Sequence, residues 1–142
     1  MHITLESDYA IRIILYLLQH EGRTDARTIA ENTGVTLRFS LKILRKLVAA
    51  GLVRSYKGAA GGYEAARRPE EISLADVMEV TEGTYCLSRC LEPSAVCSQS
   101  GGGCCKVQRI FGEISETVRA RLAEATFDLF LDPPPGEGNS NQ

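Results

Sequence analysis

The stretch IAENTGVTLRFSLKILRKLVAAGLVRSYKGAAGGY, residues 29–63, changes its hydrophobic period once, and that change decides the fold. The first part completes a short helix over DARTIAENTG, residues 25–34. Asp25 offers a side-chain oxygen to the unpaired N–H groups of a helix start, and Gly34 supplies a left-handed stop. A second helix follows in VTLRFSLKILRKLVAAG, where Leu37, Leu41, Leu44 and Leu47/Val48 recur at helical spacing. They are expected to form the core stripe, with Arg38, Lys42, Arg45 and Lys46 on the opposite face and Gly51 ending the helix. The period then drops to two. LVRSY alternates, KGAAGG is turn chemistry, and GYEAA is able to pair back as a second strand. Two short helices, the second basic, followed by a basic hairpin, make a winged helix-turn-helix.

Upstream, SDYAIRIILYLLQH sets Ile11, Ile14, Leu15 and Leu18 at helical spacing, which predicts a helix over about 7–20 capped by Ser7 or Asp8. Downstream, SLADVMEVTEG carries a capping pattern from Ser73 to Asp76 and predicts another helix. All five cysteines then fall between residues 86 and 105. From Lys106 onward Val107, Phe111, Ile114, Val118 and Leu122 repeat in steps of four, three, four and four. That is a long amphipathic helix with a seam suited to another helix. The expected fold is mainly α with a small β-hairpin. A winged helix-turn-helix domain (1–68) leads through a connecting helix (69–85) and a cysteine-rich sensor loop (86–105) to a dimerisation helix (106–131). The proline-, glycine- and asparagine-rich tail (132–142) is expected to be disordered.

At 142 residues, with 44% hydrophobic and 24% charged side chains, the composition is that of one ordinary globular domain. The apolar run IRIILYLL is short and interrupted by Arg12, so no membrane partner is expected. The start MHITLESDYAIR lacks the basic, apolar and small-residue regions of a secretory signal, so a cytoplasmic location is expected. In a reducing compartment clustered thiols bind metal or sense oxidants more often than they form structural disulfides. An odd number of cysteines points the same way.

The net charge of −2 hides a polarity. Residues 1–68 carry 11 Lys/Arg and 6 Asp/Glu, whereas residues 69–142 carry 5 and 12. Residues 38–68 hold eight basic side chains against one acid, Glu64. A basic front implies a polyanion, and a winged helix implies double-stranded DNA. The start of the second helix of the motif reaches base edges in the major groove. Thr36, Arg38, Phe39, Ser40 and Lys42 are the candidates there, and Arg38 has the fork that reads guanine. Arg45 and Lys46 lie farther along, where phosphate contact is expected. Lys57 and Gly58 at the wing tip, with Tyr63 beside them, are candidates for the backbone or minor groove. No general base, redox-type C-x-x-C motif or cofactor loop is present, so no catalytic residue is assigned and an enzyme is not expected.

ITLESDYAIRIILYL, the 29–63 stretch, EISLADVMEVTEG and the cysteine loop together resemble the bacterial regulators that include IscR, NsrR and CymR, over about residues 1–130. The resemblance implies a homodimer whose long C-terminal helices pair, bound to a palindromic operator, with repression the expected mode. Several members of that family carry an iron–sulfur cluster and sense redox, iron–sulfur or nitric oxide status. CymR-like members lack the cluster cysteines and respond to cysteine metabolism through a partner enzyme.

By the same resemblance Cys90, Cys97 and Cys104 match the three cluster cysteines, with Cys105 able to replace Cys104. Asp8 stands where one branch takes a fourth ligand from the other subunit; as a residue it is equally a first-turn acid favoured by the helix dipole. No histidine follows the third cysteine, and His2 and His20 read as surface residues. The spacing is one residue longer at each step than the family's, Cys104 and Cys105 are adjacent, and Cys86 is extra. If Cys86 ended the preceding helix it would face the same way as Cys90 and add a fourth thiolate. A 2Fe–2S or 4Fe–4S cluster is the expected cofactor. Zinc is the weaker candidate, because zinc loops more often space their cysteines two to four apart. A metal-free thiol switch stays open, since vicinal thiols oxidise reversibly.

Overall fold

The structure, a computed structural model, describes residues 2–97 and 105–132. Five α-helices and one hairpin follow in the order α1 (Leu5–Gln19), α2 (Ala26–Thr33), α3 (Leu37–Ala49), β1 (Val53–Tyr56), β2 (Gly62–Ala65), α4 (Leu74–Glu82) and α5 (Lys106–Glu124). Single 3-10 turns lie at Pro69–Glu71, Arg89–Leu91 and Phe127–Phe130. Among the described residues no helix is long and apolar enough to cross a membrane.

The starts of α2, α3 and α4 lie where the sequence predicts them, because each carries its own cap. Asp25 accepts from Thr28 N–H and Gly34 closes α2 at φ +70°. Thr36 accepts from Phe39 N–H at the start of α3. Ser73 and Asp76 form the reciprocal pair expected before α4, at 2.8 and 3.1 Å. Helix α1 differs. It starts earlier than expected, with Thr4 rather than Ser7 or Asp8 as its N-cap. The reason is tertiary: Thr4 N–H and Oγ–H and the Ser7 hydroxyl all donate to the Glu82 carboxylate from the end of α4. A carboxylate on the free N–H end of a helix is favoured by the dipole as well as by the hydrogen bonds.

The core collects Ala10, Ile13, Ile14 and Leu17 of α1, Ile29 of α2, Ile43, Leu44 and Leu47 of α3, Leu52, Val53, Ile72, Val77 and Phe127. Two expected stripes are therefore corrected. In α1 the buried line runs through Ala10, Ile13, Ile14 and Leu17, and Ile11, Leu15 and Leu18 flank it, partly buried. In α3 the core line is Ser40, Ile43, Leu44 and Leu47, while Leu37 and Leu41 stay 36% and 42% exposed. Every position of both lines satisfies helical spacing, so the choice between neighbouring stripes rests on where α1, α2 and α4 press.

The wing pairs Val53 with Ala65, Arg54 with Glu64, Ser55 with Tyr63 and Tyr56 with Gly62. Thr24, before α2, adds a bridge by exchanging both backbone hydrogen bonds with Tyr63, at 2.9 and 2.8 Å. Gly62 sits at φ +145°, and a Cβ there would lie 2.9 Å from the Thr24 backbone. A Cβ at Gly61 would lie 2.5 Å from the Tyr56 carbonyl oxygen. The paired glycines are thus set by the fold of the wing itself.

The dimerisation helix expected over 106–131 ends at Glu124. The chain then turns back: Thr126 bridges Ser73, Leu74 N–H donates to Ala125 O, and Phe127 N–H donates to Ile72 O. This return delivers Phe127, fully buried, into the core of the winged domain. The tail predicted over 132–142 lies, from residue 133 on, outside the described residues.

Phe127→Ala empties the largest fully buried side chain, so it is expected to cost about 3–5 kcal/mol, read as a lower midpoint in urea unfolding. The Glu82 carboxyl is raised by partial burial, but hydrogen bonds from Ser7 and Thr4 outweigh that and hold it below the usual carboxylate range of 4.5. A lowered folded-state pKa contributes stability above the unfolded value and loses it as pH falls through the folded one. Glu82→Gln is therefore expected to lower the melting temperature at pH 7, by a deficit that shrinks as pH is lowered through the folded-state value. A deficit that stays constant on acidification until the protein unfolds would contradict the linkage.

Candidate nucleic-acid interface and cysteine loop

Helix α3 is held from behind by Ile43, Leu44 and Leu47, which fixes what its outer surface presents. That surface carries Leu37, Arg38, Leu41, Lys42, Arg45 and Lys46 around one open groove. Thr36, Arg38, Lys42 and Arg45 are exposed, as their candidate roles require. Ser40 is not: it is fully buried, with a hydroxyl that meets no hydrogen-bond partner among the described residues, so it is withdrawn as a base-reading residue. Its place on the core side follows from lying three and four residues before Ile43 and Leu44. Phe39 is half-buried edge-on against Tyr9, with ring centroids 5.6 Å apart, and the Lys42 ammonium lies 5.4 Å from its ring centre. Its ring packs α3 onto α1.

Two of the basic side chains are not loose. Lys42 and Lys46 both reach Glu6 of α1, Lys42 at 3.3 Å. The Lys46 hydrogen bond foremost, helped by Lys42 and opposed by partial burial, holds the Glu6 carboxyl below its usual range. Among the described residues Arg38 and Arg45 enter no ion pair. On the wing, Lys57 and Gly58 are exposed at the tip. Tyr63 is half-buried against the core, so much of its ring serves packing. Arg23, a residue the sequence reading passed over, lies 3.5 Å over the Tyr56 ring and donates to Ala60 O at 3.2 Å, bracing the wing tip from the α1–α2 turn. That an arginine between α1 and α2 meets a tyrosine of β1 gives no signal in sequence until the register of the wing is known.

The cysteine loop begins as a clasp on α5. Arg119 donates to Tyr85 O at 2.7 Å, Leu87 N–H donates to the buried Ser115 hydroxyl at 2.9 Å, and Gln108 donates to Cys90 O at 2.8 Å. Leu91 meets the helix at Gly112, where a Cβ would stand 3.6 Å from its side chain. Gln108, Gly112, Ser115 and Arg119 recur every three to four residues, so they form one line along α5. The sequence reading followed only the apolar seam of this helix and missed that second line. Of the seam, Val107 and Ile114 are exposed, together with Ile110.

Cys86 is not on the preceding helix, which stops at Gly83; it is half-buried with its sulfur 4.0 Å from Leu91 O. Cys90 is half-buried, 3.1 Å from the Ser88 hydroxyl. Cys97 and Cys105 are exposed, and Cys105 precedes the first turn of α5. Cys104 lies outside the described residues. Asp8 is ion-paired to Arg12 on its own helix at 2.7 Å. Among the described residues no three metal-binding side chains converge. The donor set nevertheless has the right chemistry for a thiophilic group: cysteine sulfurs gathered on one loop whose start is fixed to α5.

Residues 3–133 match the Rrf2 family, described as iron-dependent transcriptional regulators. Protein rrf2 of Nitratidesulfovibrio vulgaris is 30% identical over 135 residues, covering 93% of this chain and 89% of its own length. Protein aau3 of Rhizobium meliloti is 35% identical over 97 residues, 68% of this chain, and the match spans 63% of that protein. The regulator IscR of Aliivibrio salmonicida is 27% identical over 124 residues, 86% of this chain and 72% of that one. Among solved structures, the B. subtilis global cysteine regulator CymR superposes with a TM-score of 0.72 at 24% identity, covering 93% of this chain and 99% of that one. T. potens IscR gives 0.74 at 23% identity, covering 99% and 94%. At these identities the two structures share the fold. With the family match running through nearly the whole chain, the protein is a member of the Rrf2 family of transcriptional regulators, DNA-binding proteins and not enzymes.

Proposed function

We propose that the protein is a homodimeric regulator of the cytoplasm that binds a palindromic operator, and that its cysteine loop senses redox, iron–sulfur or nitric oxide status by holding an iron–sulfur cluster. The observation that carries this reading is the double attachment of α5. Along its length, from Gln108 to Arg119, it is clasped by the segment leading to the cysteines, and just past its end Phe127 enters the core that also holds α3. A change in the loop is thereby tied to the orientation of the reading helix. In a dimer, two such helices must sit about one DNA turn apart, so a small rotation weakens both half-sites together. A coupling of about 1–3 kcal/mol suffices to switch occupancy.

In this reading Thr36, Arg38, Lys42 and Arg45 face the major groove and Lys57 and Gly58 the backbone. The exposed line Val107, Ile110 and Ile114 of α5 pairs with its counterpart in a second copy. Cys90, Cys97 and Cys104 or Cys105 hold the cluster, with Asp8 of the second protomer as candidate fourth ligand. When bound, the cluster supplies redox-active iron whose ligation changes with the signal. Within this chain, the Ser88 hydroxyl meets the Cys90 sulfur and the Gln108 amide donates to the Cys90 carbonyl oxygen, and the two contacts orient Cys90.

Protein purified without oxygen and supplied with iron and sulfide is expected to be brown, with visible absorption that Cys90→Ser removes. Its affinity for a selected duplex is expected to change on exposure to oxygen. A colourless protein with unchanged affinity would overturn cluster sensing and favour a regulator that answers to thiol oxidation or a metabolic enzyme. A second outcome concerns Glu6. Glu6→Gln releases Lys42 and Lys46 toward phosphates, and each new contact steepens the dependence of log K on log salt by about 0.9. The slope measured by fluorescence anisotropy should therefore grow by about 1–2, with tighter binding at low salt.

A further inference from the structure

The core stripe of α3 leaves two leucines behind. Leu37 and Leu41 are 36% and 42% exposed, one turn apart, on the same outer surface as Arg38, Lys42 and Arg45. They are not satellites of the core: the apolar positions of α3 that pack inward are Ile43, Leu44 and Leu47, with Phe39 and Val48 at the margin. A helix side meant only for phosphate would be polar throughout, since each exposed leucine is an unfavourable hydration surface. Here an apolar line one turn long is bordered by guanidinium and ammonium groups, so whatever covers it is both anionic and locally apolar.

The major groove of DNA meets both conditions. Its walls are phosphate, and its floor carries one apolar group, the C5 methyl of thymine. Leu37 is the first residue of α3 and Leu41 the fifth, which is the part of a recognition helix that reaches base edges. We infer that Leu37 and Leu41 read thymine methyl groups, so that each half-site owes part of its sequence preference to apolar contact beside the guanidinium contacts of Arg38 and Arg45. The inference rests on the DNA-binding reading above and specifies what the reading helix recognises. It assigns specificity to residues that carry neither charge nor hydrogen-bonding groups. It also removes the need for the buried Ser40 at the base edge.

The test starts from a duplex selected out of a random library by the full-length protein, purified without oxygen. Each thymidine is then replaced in turn by deoxyuridine, which keeps every hydrogen-bonding group and deletes only the methyl. Wild-type protein is expected to lose about fourfold in affinity at one or two positions of each half-site, the worth of one buried methyl. Leu41→Ala or Leu37→Ala should bind the thymidine duplex about as weakly as wild type binds the uridine one, and should no longer distinguish the two. Because both side chains are exposed, the melting temperature of the variants is expected to stay near wild type, which keeps the comparison interpretable. Uniform tolerance of deoxyuridine by wild type, or undiminished discrimination by both variants, would overturn the inference while leaving DNA binding intact. A change of oligomeric state on Leu41→Ala without a change in discrimination would overturn it too, by making this surface a protein contact. Failure to enrich any duplex would instead bring down the DNA-binding reading itself.

Discussion

Phe127 is fully buried in the core beside Ile72, and the coupling proposed between the cysteine loop and the reading helix depends on it. A helix of 19 residues that left the domain and never returned would be an arm, free to swing. The backbone bridge between Ser73 and Thr126, followed by a fully buried aromatic ring, makes α5 part of the reading head instead. The cost of withdrawing a buried phenylalanine is several times thermal energy, about 3–5 kcal/mol by truncation, so the attachment behaves as a rigid one. The clasp of Tyr85, Leu87 and Cys90 on Arg119, Ser115 and Gln108 lays the start of the cysteine loop along the same helix.

Electrostatics divides along the same line. The basic groups gather on α3 and the wing, while acids concentrate in the second half of the chain. Within the basic front the charges are not equivalent. Lys42 and Lys46 share the Glu6 carboxylate, whereas Arg38 and Arg45 stand clear of such pairs among the described residues. The Glu6 carboxylate partly neutralises the two lysines and leaves the two guanidinium groups their full charge. Leu37 and Leu41 add an apolar element to the same surface. If this surface meets DNA as proposed, it combines a damped charge with apolar contact, a composition that favours discrimination over raw affinity.

Much of this was legible in the residues alone, for reasons that are local. Asp25, Gly34, Thr36, Ser73 and Gly51 each act within three or four positions of themselves, so the starts and stops of α2, α3 and α4 follow from their chemistry. The drop from helical to strand period after Gly51 likewise marks the wing. What was misread involved partners far along the chain. Leu37 and Leu41 fit a core stripe as well as Ile43 does, and Ser40 fits an outer surface as well as Arg38 does; periodicity is degenerate by one residue in either direction. Thr4 became the cap of α1 because Glu82, 78 residues away, accepts from it. The polar line Gln108, Gly112, Ser115 and Arg119 had no meaning until the loop segment lying on it was known.

The sequence by itself therefore determined the elements, their order, the basic reading helix and the concentration of thiols in one loop, because capping, period and composition act over a few residues. Tertiary structure alone decided which face of α3 is presented, that Ser40 is inside and two leucines are outside, and that the chain doubles back at Thr126 to bury Phe127. Those outcomes depend on which surfaces exclude water from one another, and that is a property of elements brought together from opposite ends of the chain.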